Sequence, residues 1–276
     1  MRFGFTLPNN FGVDDPHQVV EMAVRAEAAG FDSVWVNHHV LNVGYVGERL
    51  GDKPYHDALA ILTWAAARTE RVRLGTSVLV LPYLHPMVLA KQLATLDQLS
   101  GGRLVVGVGV GSLPEENTAM GAVWDERGAY SDESIEVMKA LWTGRPASFT
   151  GTHFSLDGVV ASPRPAQTPH PPLLIGGSRP PALRRVARHG DGWHPLGLPP
   201  DSYARRLEEL DGLLAAERRT RADLVLSLRI DAERVDAAAV DAYAEIGVQE
   251  MVVSVNSGDL GVIGGQLDRI AAKVMS

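Results

Sequence analysis

Residues 3–37, FGFTLPNNFGVDDPHQVVEMAVRAEAAGFDSVWVN, hold one complete strand–helix–strand unit. Phe3 to Leu7 is an apolar run of strand length. Asp15 is suited to cap a helix and Pro16 to its first position. Val19, Val20, Ala23, Ala26 and Glu27 give a mostly apolar face before Gly30 ends it. The second strand follows at Ser33 to Asn37. A strand feeding a helix feeding a strand builds a parallel sheet covered by helices.

The unit recurs along the chain. A helix over Asp57–Thr69 leads to a third strand, Leu74–Leu81, stopped by Pro82. A helix over Pro86–Leu99 and the turn Gly101-Gly102 lead to a fourth strand, Leu104–Gly109, with a helix over Tyr130–Trp142 after it. Gly144 to Pro172 breaks the rhythm with Pro146, Pro163, Pro165, Pro169, Pro171 and Pro172. Its apolar content exceeds that of a flexible linker, so it reads as an insertion packed on the fold. Strands at Leu173–Ile175, Gly192–His194, Leu224–Ile230 and Met251–Val255 then alternate with helices at Ala182–His189, Asp201–Arg218, Ala237–Glu245 and Ile263–Val274. About eight units in 276 residues favour a single closed (β/α)8 barrel domain over residues 1–276, with residues 144–172 as the insertion after the fourth unit. A doubly wound Rossmann sheet is the alternative. It is weakened because Leu7-Pro8-Asn9-Asn10-Phe11-Gly12 is not a dinucleotide loop.

Composition removes whole classes of chemistry. With no cysteine there is no disulfide framework, thiolate metal site or cysteine nucleophile. Twenty-six basic against 33 acidic residues leave a net charge of −7, which offers nucleic acid no general attraction. No apolar stretch reaches the roughly 18 residues of a membrane span, and the first residues lack the long apolar region of a signal peptide, so a cytoplasmic protein is expected.

Barrel enzymes carry their chemistry at the C-terminal ends of the strands, and here that rim is poor in reactive groups. His38 and His39 are adjacent and point to opposite faces, so they do not readily share a metal ion, and no metal is expected. The lysines, Lys53, Lys91, Lys139 and Lys273, fall on helices or in a loop, away from the place a Schiff-base lysine needs. Glu115, Glu116 and Asp231 near strand ends form no evident glycosidase pair. A rim without its own acid, base and nucleophile suggests a borrowed cofactor. Gly176-Gly177-Ser178-Arg179 leads into a helix opened by Pro180 and Pro181, and this loop suits a phosphate. A plain strand-to-helix turn is the competing reading, and Arg184, Arg185 and Arg188 either extend the basic area or form a solvated face. Gly107, Gly109 and Gly111 share one face of the fourth strand, where a flat group could lie or a helix could pack.

In their order and spacing, several fragments resemble the bacterial luciferase-like monooxygenase superfamily, and within it the deazaflavin-dependent oxidoreductases. They are Ala28-Ala29-Gly30-Phe31-Asp32-Ser33-Val34-Trp35 into His39, Arg73-Leu74-Gly75-Thr76-Ser77-Val78, His85-Pro86, Leu99-Ser100-Gly101-Gly102-Arg103 and Gly107-Val108-Gly109-Val110-Gly111. Glu126-Arg127-Gly128, Leu141-Trp142, Pro163-Arg164-Pro165, Gly176-Gly177-Ser178 and Asp191-Gly192-Trp193 continue the series. The resemblance implies a luciferase-like barrel, a homodimer, and coenzyme F420 or reduced FMN bound at the barrel mouth. It also implies a non-prolyl cis peptide at Ser77-Val78 under the ring and a phosphate on Gly176, Gly177 and Ser178. Site residues expected on these grounds are His39 as proton donor or ring partner, with His38, Ser77, Val78, Gly109, Gly111, Gly176, Gly177, Ser178 and Arg179 around the cofactor.

Two departures from the family pattern stand out. His38 replaces an aspartate frequent after the second strand, and Ser112 stands where the sugar-phosphate dehydrogenases carry a glutamate, which removes support for that reaction. The expected activity is F420-dependent hydride transfer to or from a small organic substrate. An FMN-dependent monooxygenase and a cofactor-less ligand-binding barrel are the alternatives. Aromatic and apolar loop residues, Phe11, Tyr45, Tyr83, Leu84 and Trp124, suggest a mainly apolar pocket.

Overall fold

The computed structural model describes residues 1–275. The chain runs β1 (Arg2–Thr6), α1 (Pro16–Ala28), β2 (Ser33–Val36), α2 (Gly44–Leu50), α3 (Ala58–Arg68), β3 (Arg73–Thr76), β4 (Leu79–Val80), α4 (Pro86–Leu99) and β5 (Leu104–Gly109). It continues through α5 (Pro114–Ala119), α6 (Arg127–Thr143), β6 (Ala147–Thr150), β7 (Ser155–Val159), β8 (Leu173–Gly176), α7 (Pro180–His189), β9 (Gly192–His194) and α8 (Pro200–Ala216). The last elements are β10 (Val225–Asp231), α9 (Ala237–Glu245), β11 (Glu250–Ser254) and α10 (Leu260–Lys273). The barrel strands pair in parallel in the order β3-β2-β1-β11-β10-β9-β8-β5, and a β3–β5 pairing, Leu74 with Leu104 and Gly75 with Val105, closes the ring. β3 and β4 form one stave between them, since β4 also pairs with β5. The eight-staved parallel barrel is therefore the observed fold.

Local caps match the sequence signals. Asp15 accepts from the His17 N–H at the start of α1, with Pro16 at the first position. Gly30 takes a left-handed φ of 92° as the chain leaves the helix, a conformation glycine adopts without a Cβ clash. The main core lies between the barrel and its helices. A second, smaller cluster of Trp35, Val105, Leu174 and Val252 fills the inside of the barrel.

The strand pattern and the structure differ at the third strand. The third strand is not continuous over Leu74–Leu81. It breaks at a cis Ser77-Val78 peptide, the non-prolyl cis bond that the family resemblance implies, and ends in a short 3-10 turn, Leu81–Tyr83. Within residues 144–172, read from the sequence as an insertion packed on the fold, lies a two-stranded antiparallel sheet, β6 with β7. This hairpin docks through Phe154, whose ring stands edge-on to Tyr130 at 5.1 Å and to His85 at 5.8 Å. Among the described residues no helix is long and apolar enough to cross a membrane.

Candidate active site

The chain leaving β2 places three successive side chains in three directions. Asn37 faces into the barrel mouth. Its N–H donates to Asn9 Oδ1 at 3.0 Å, and the Asn9 amide donates to the Asn37 and His56 carbonyls, both at 2.9 Å. This bridge ties the loop after β1 to the loop after β2. His38 is buried against Tyr83, and its Nδ1 accepts from the Val80 N–H at 3.2 Å. Burial holds its pKa down to about 4, so the ring is neutral near pH 7. His38 thus joins the end of β2 to β4, while the neighbouring imidazole turns elsewhere.

That neighbour, His39, meets a carboxylate to which the sequence assigns no partner, Glu116. Glu116, on the short helix α5, is fully buried, and its Oε2 lies 2.5 Å from His39 Nδ1. Its Oε1 accepts from the N–H groups of Val40 at 2.6 Å and Leu41 at 3.1 Å. Burial alone would push the carboxyl up, but the hydrogen bonds from His39, Val40 and Leu41 outweigh it and hold Glu116 below the ordinary carboxylate range. An ionised carboxylate on Nδ1 fixes the proton there and leaves Nε2 outward. Tyr45 closes the chain, its hydroxyl 3.1 Å from His39 Nε2. No local signal marked Glu116, because Glu115 and Glu116 differ only in which way the turn of α5 points them.

Below this couple, Ser77 Oγ lies 2.9 Å from His194 Nε2, and His194 Nδ1 lies 2.8 Å from Ser227 Oγ. The cis peptide sets Val78 against the glycines that the sequence showed as a bare face. A Cβ on Gly109 would come 2.7 Å from Val78 Cγ2, and one on Gly176 would come 3.0 Å from Val78 Cγ1. Gly111, with φ 81°, lies under Val80 and Tyr83. The glycine face therefore accepts this chain's own Val78 and Val80. A flat group approaching this face would meet Val78 and Val80 beside Gly109 and Gly111.

At the end of β8, Gly177 has φ 92° and its carbonyl accepts from Trp193 Nε1 at 2.8 Å. Pro180 and Pro181 have no N–H to offer, so an anion here relies on the amides of Gly177, Ser178 and Arg179 and on the Ser178 hydroxyl. Arg179 is exposed. Arg185 and Arg188 do not extend this basic area. Arg185 is buried on Asp132 and the Gly128 carbonyl, and Arg188 pairs with Glu217. Among the described residues no cluster of three or more His, Asp or Glu could hold a metal.

Polar atoms gather at the mouth without partners. Thr6 Oγ1, Asn10 Oδ1, Asn37 Nδ2, Tyr55 OH and Arg229 Nε are all buried and unbonded. Buried polar groups are normally satisfied, so this concentration at one end of the barrel fits a polar ring edge or substrate completing the set. Beside it, a cavity of about 370 Å³ is lined by Tyr83, Leu84 and Met120 but also by His85, Arg127 and His153. The mainly apolar pocket expected from the loop composition is thus mixed in character. Phe11 and Trp124 serve as platforms for the guanidinium groups of Arg49 and Arg127, at 4.5 and 3.7 Å.

A family model described as luciferase-like monooxygenase matches residues 1–269. The chain is 38% identical over 182 residues to an F420-dependent glucose-6-phosphate dehydrogenase of Amycolatopsis mediterranei, covering 64% of this chain and 53% of that protein. It is 36% identical over 231 residues to a protein of the same name from Microbacterium testaceum, covering 81% and 66%. The chain thus spans about half to two thirds of the length of these relatives. Among solved structures, an F420-dependent secondary alcohol dehydrogenase in complex with an F420-acetone adduct superposes with a TM-score of 0.83 at 19% identity, over 99% of this chain and 98% of the other. The monooxygenase RslO1 from Streptomyces bottropensis superposes with a TM-score of 0.81 at 24% identity, over 100% and 99%. At these identities the structural likeness shows the fold.

Proposed function

The chain belongs to the luciferase-like monooxygenase family, and on that premise we propose that it is a coenzyme F420-dependent oxidoreductase acting on a small organic substrate. The observation that carries the reading is the Glu116–His39 couple at the C-terminal mouth of the barrel. Relatives named for F420 dependence at 36% and 38% identity support the choice of coenzyme. Bound F420 would supply two-electron hydride chemistry at a ring carbon.

The chain's own residues do the rest. Gly176, Gly177, Ser178 and Arg179 would hold the phosphate. The unpartnered atoms of Asn37, Tyr55 and Arg229 would meet polar edges at the mouth. His39 Nε2 would take the proton as a substrate hydroxyl becomes a carbonyl, and return it in the reverse direction. Glu116 on Nδ1 compensates the charge while both ring nitrogens are protonated. The half-exposed Tyr45 hydroxyl on Nε2 links the imidazole to solvent. Ser112 in the place of the family's glutamate keeps the sugar-phosphate reaction out of this reading. A homodimer belongs to the same proposal.

Fluorescence titration of the protein with oxidised F420 and with FMN at the same salt, with Gly177→Asp as control, tests it. Tight F420 binding lost in the variant is the expected result. Preference for FMN would move the chain to the monooxygenase branch, and binding of neither would overturn the coenzyme assignment.

A further inference from the structure

One guanidinium group, that of Arg229, stands at the floor of the barrel mouth with no carboxylate partner among the described residues, and a second, that of the exposed Arg49, lies nearer the rim. Arg229 projects from β10 and spends one nitrogen, Nη1, on Asn37 Oδ1 and the Ser77 carbonyl. Its Nε is buried and unbonded. Arg49 reaches in from α2, donates to the Asn10 carbonyl at 3.0 Å and lies over Phe11. The nearest acid acting on Arg229 along its own strand is Asp231, whose two oxygens accept from Glu233 N–H and from Asn256. Among the described residues neither arginine forms an ion pair, and of the two it is Arg229 that is buried. A buried cation without a counter-charge is costly, so this arrangement is complementary to an anion.

The surrounding unpartnered atoms sharpen the chemistry. Tyr55 OH and Asn37 Nδ2 are donors next to Arg229, and burial pushes the Tyr55 phenol up, so it keeps its proton to donate. Tyr55 also bridges this floor to the proton-handling couple, since its ring stands edge-on to His39 with centroids 5.8 Å apart. A structural duty for Arg229 needs only Nη1, which leaves the rest of the planar fork unspent.

We propose that Arg229, Tyr55 and Asn37 form an oxyanion subsite that takes a delocalised anionic oxygen, either the carboxylate of a small organic acid substrate or the oxygen edge of the reduced coenzyme ring. The second source rests on the F420 reading above, and the first does not.

Calorimetric titration of the coenzyme-free protein with lactate and pyruvate, and fluorescence titration with oxidised and reduced F420, separate the sources in wild type, Arg229→Lys and Tyr55→Phe. Arg229→Lys keeps the charge and loses the fork, and Tyr55→Phe removes one hydroxyl, so it carries the test if the arginine variant fails to fold. For a substrate anion, the variants weaken lactate or pyruvate about tenfold or more while oxidised F420 affinity holds, as expected for losing a hydrogen bond to a charged group. For the coenzyme, the carboxylates do not bind and the ratio of reduced to oxidised F420 affinity falls about tenfold. Equal binding of every ligand in wild type and variants, or no binding of any to the wild type, overturns the subsite. If F420 fails to bind at all, the coenzyme reading fails while the carboxylate titration still decides this one.

Discussion

Trp35 and His194 stack face to face inside the barrel, with ring centroids 4.8 Å apart and planes within 9° of each other. The indole occupies space that Gly4 and Gly75 leave by having no side chain, and its Nε1 donates to Ser33 Oγ at 2.8 Å. The imidazole above it is held from both sides by Ser77 and Ser227. The floor of the site is therefore a rigid aromatic layer with one polar ring in it.

That layer makes folding stability depend on acid. Burial depresses His194 to about 3 and His38 to about 4, against 6.5 for an unhindered ring. The unfolded chain takes up these protons first. Stability is therefore full above about pH 6.5 and falls as pH drops toward the folded values, by about 1.4 kcal/mol per pH unit for each ring. Chemical denaturation between pH 4 and 8 should show this loss, and His194→Gln should have a shallower slope. An equal slope in the variant would show that His194 carries no such linkage.

Gly75 lies directly beneath the Trp35 ring, so a methyl group there overlaps the indole. Gly75→Ala should cost about 1–3 kcal/mol, typical of overpacking. The double variant with Trp35→Phe should recover part of the loss, because the smaller ring frees the space. Urea melts of the four proteins in the cycle measure the coupling.

Glu116→Gln keeps the shape of the side chain and removes the charge facing His39. At pH 7 it should cost about 1–3 kcal/mol, the worth of hydrogen bonds to a charged group. Because the folded carboxyl is held below its ordinary value, the stabilisation is present above roughly pH 4 and lost as pH falls through the folded value. The gap between wild type and variant closes in acid. Turnover should fall about 10²-fold or more, as for a damaged acid–base group, with F420 affinity retained. Unchanged turnover would remove the couple from the chemistry.

Arg103 ties the loop ahead of β3 to the end of α4. Its nitrogens donate to the carbonyls of Ala66, Thr69, Val72 and Ser100 and to the Thr69 hydroxyl, at 2.8 to 3.0 Å. Arg103→Ala leaves these partly buried acceptors without a charged donor and should destabilise by about 2–4 kcal/mol, measured by thermal or urea unfolding. A change under 0.5 kcal/mol, the scale of an ordinary surface substitution, would mean water replaces it freely.

The alternation from Phe3 to Val255 was enough to show an eight-unit parallel barrel, because strand length, helical period, caps and glycine stops are local properties of the chain. The Gly176-Gly177-Ser178 loop was legible for the same reason. The break at Ser77-Val78 and the hairpin of β6 and β7 were less so. The break was expected only from family resemblance, and the hairpin's short strands lie among prolines and carry weak alternation.

What the sequence by itself determined was the order of elements and the end of the barrel at which the candidate site residues fall. Tertiary structure decided which side chains meet. His39 and Glu116 are 77 positions apart, and Asn37 and Arg229 are 192. No local pattern relates such pairs, since only closure of the ring brings the ends of its staves together. Closure also decided that Val78 covers the glycine face, that Arg185 is spent on Asp132, and that Arg229 Nε is left without a partner among the described residues. Helix and strand propensities act over a few residues, whereas burial and charge pairing depend on neighbours that only the finished barrel supplies.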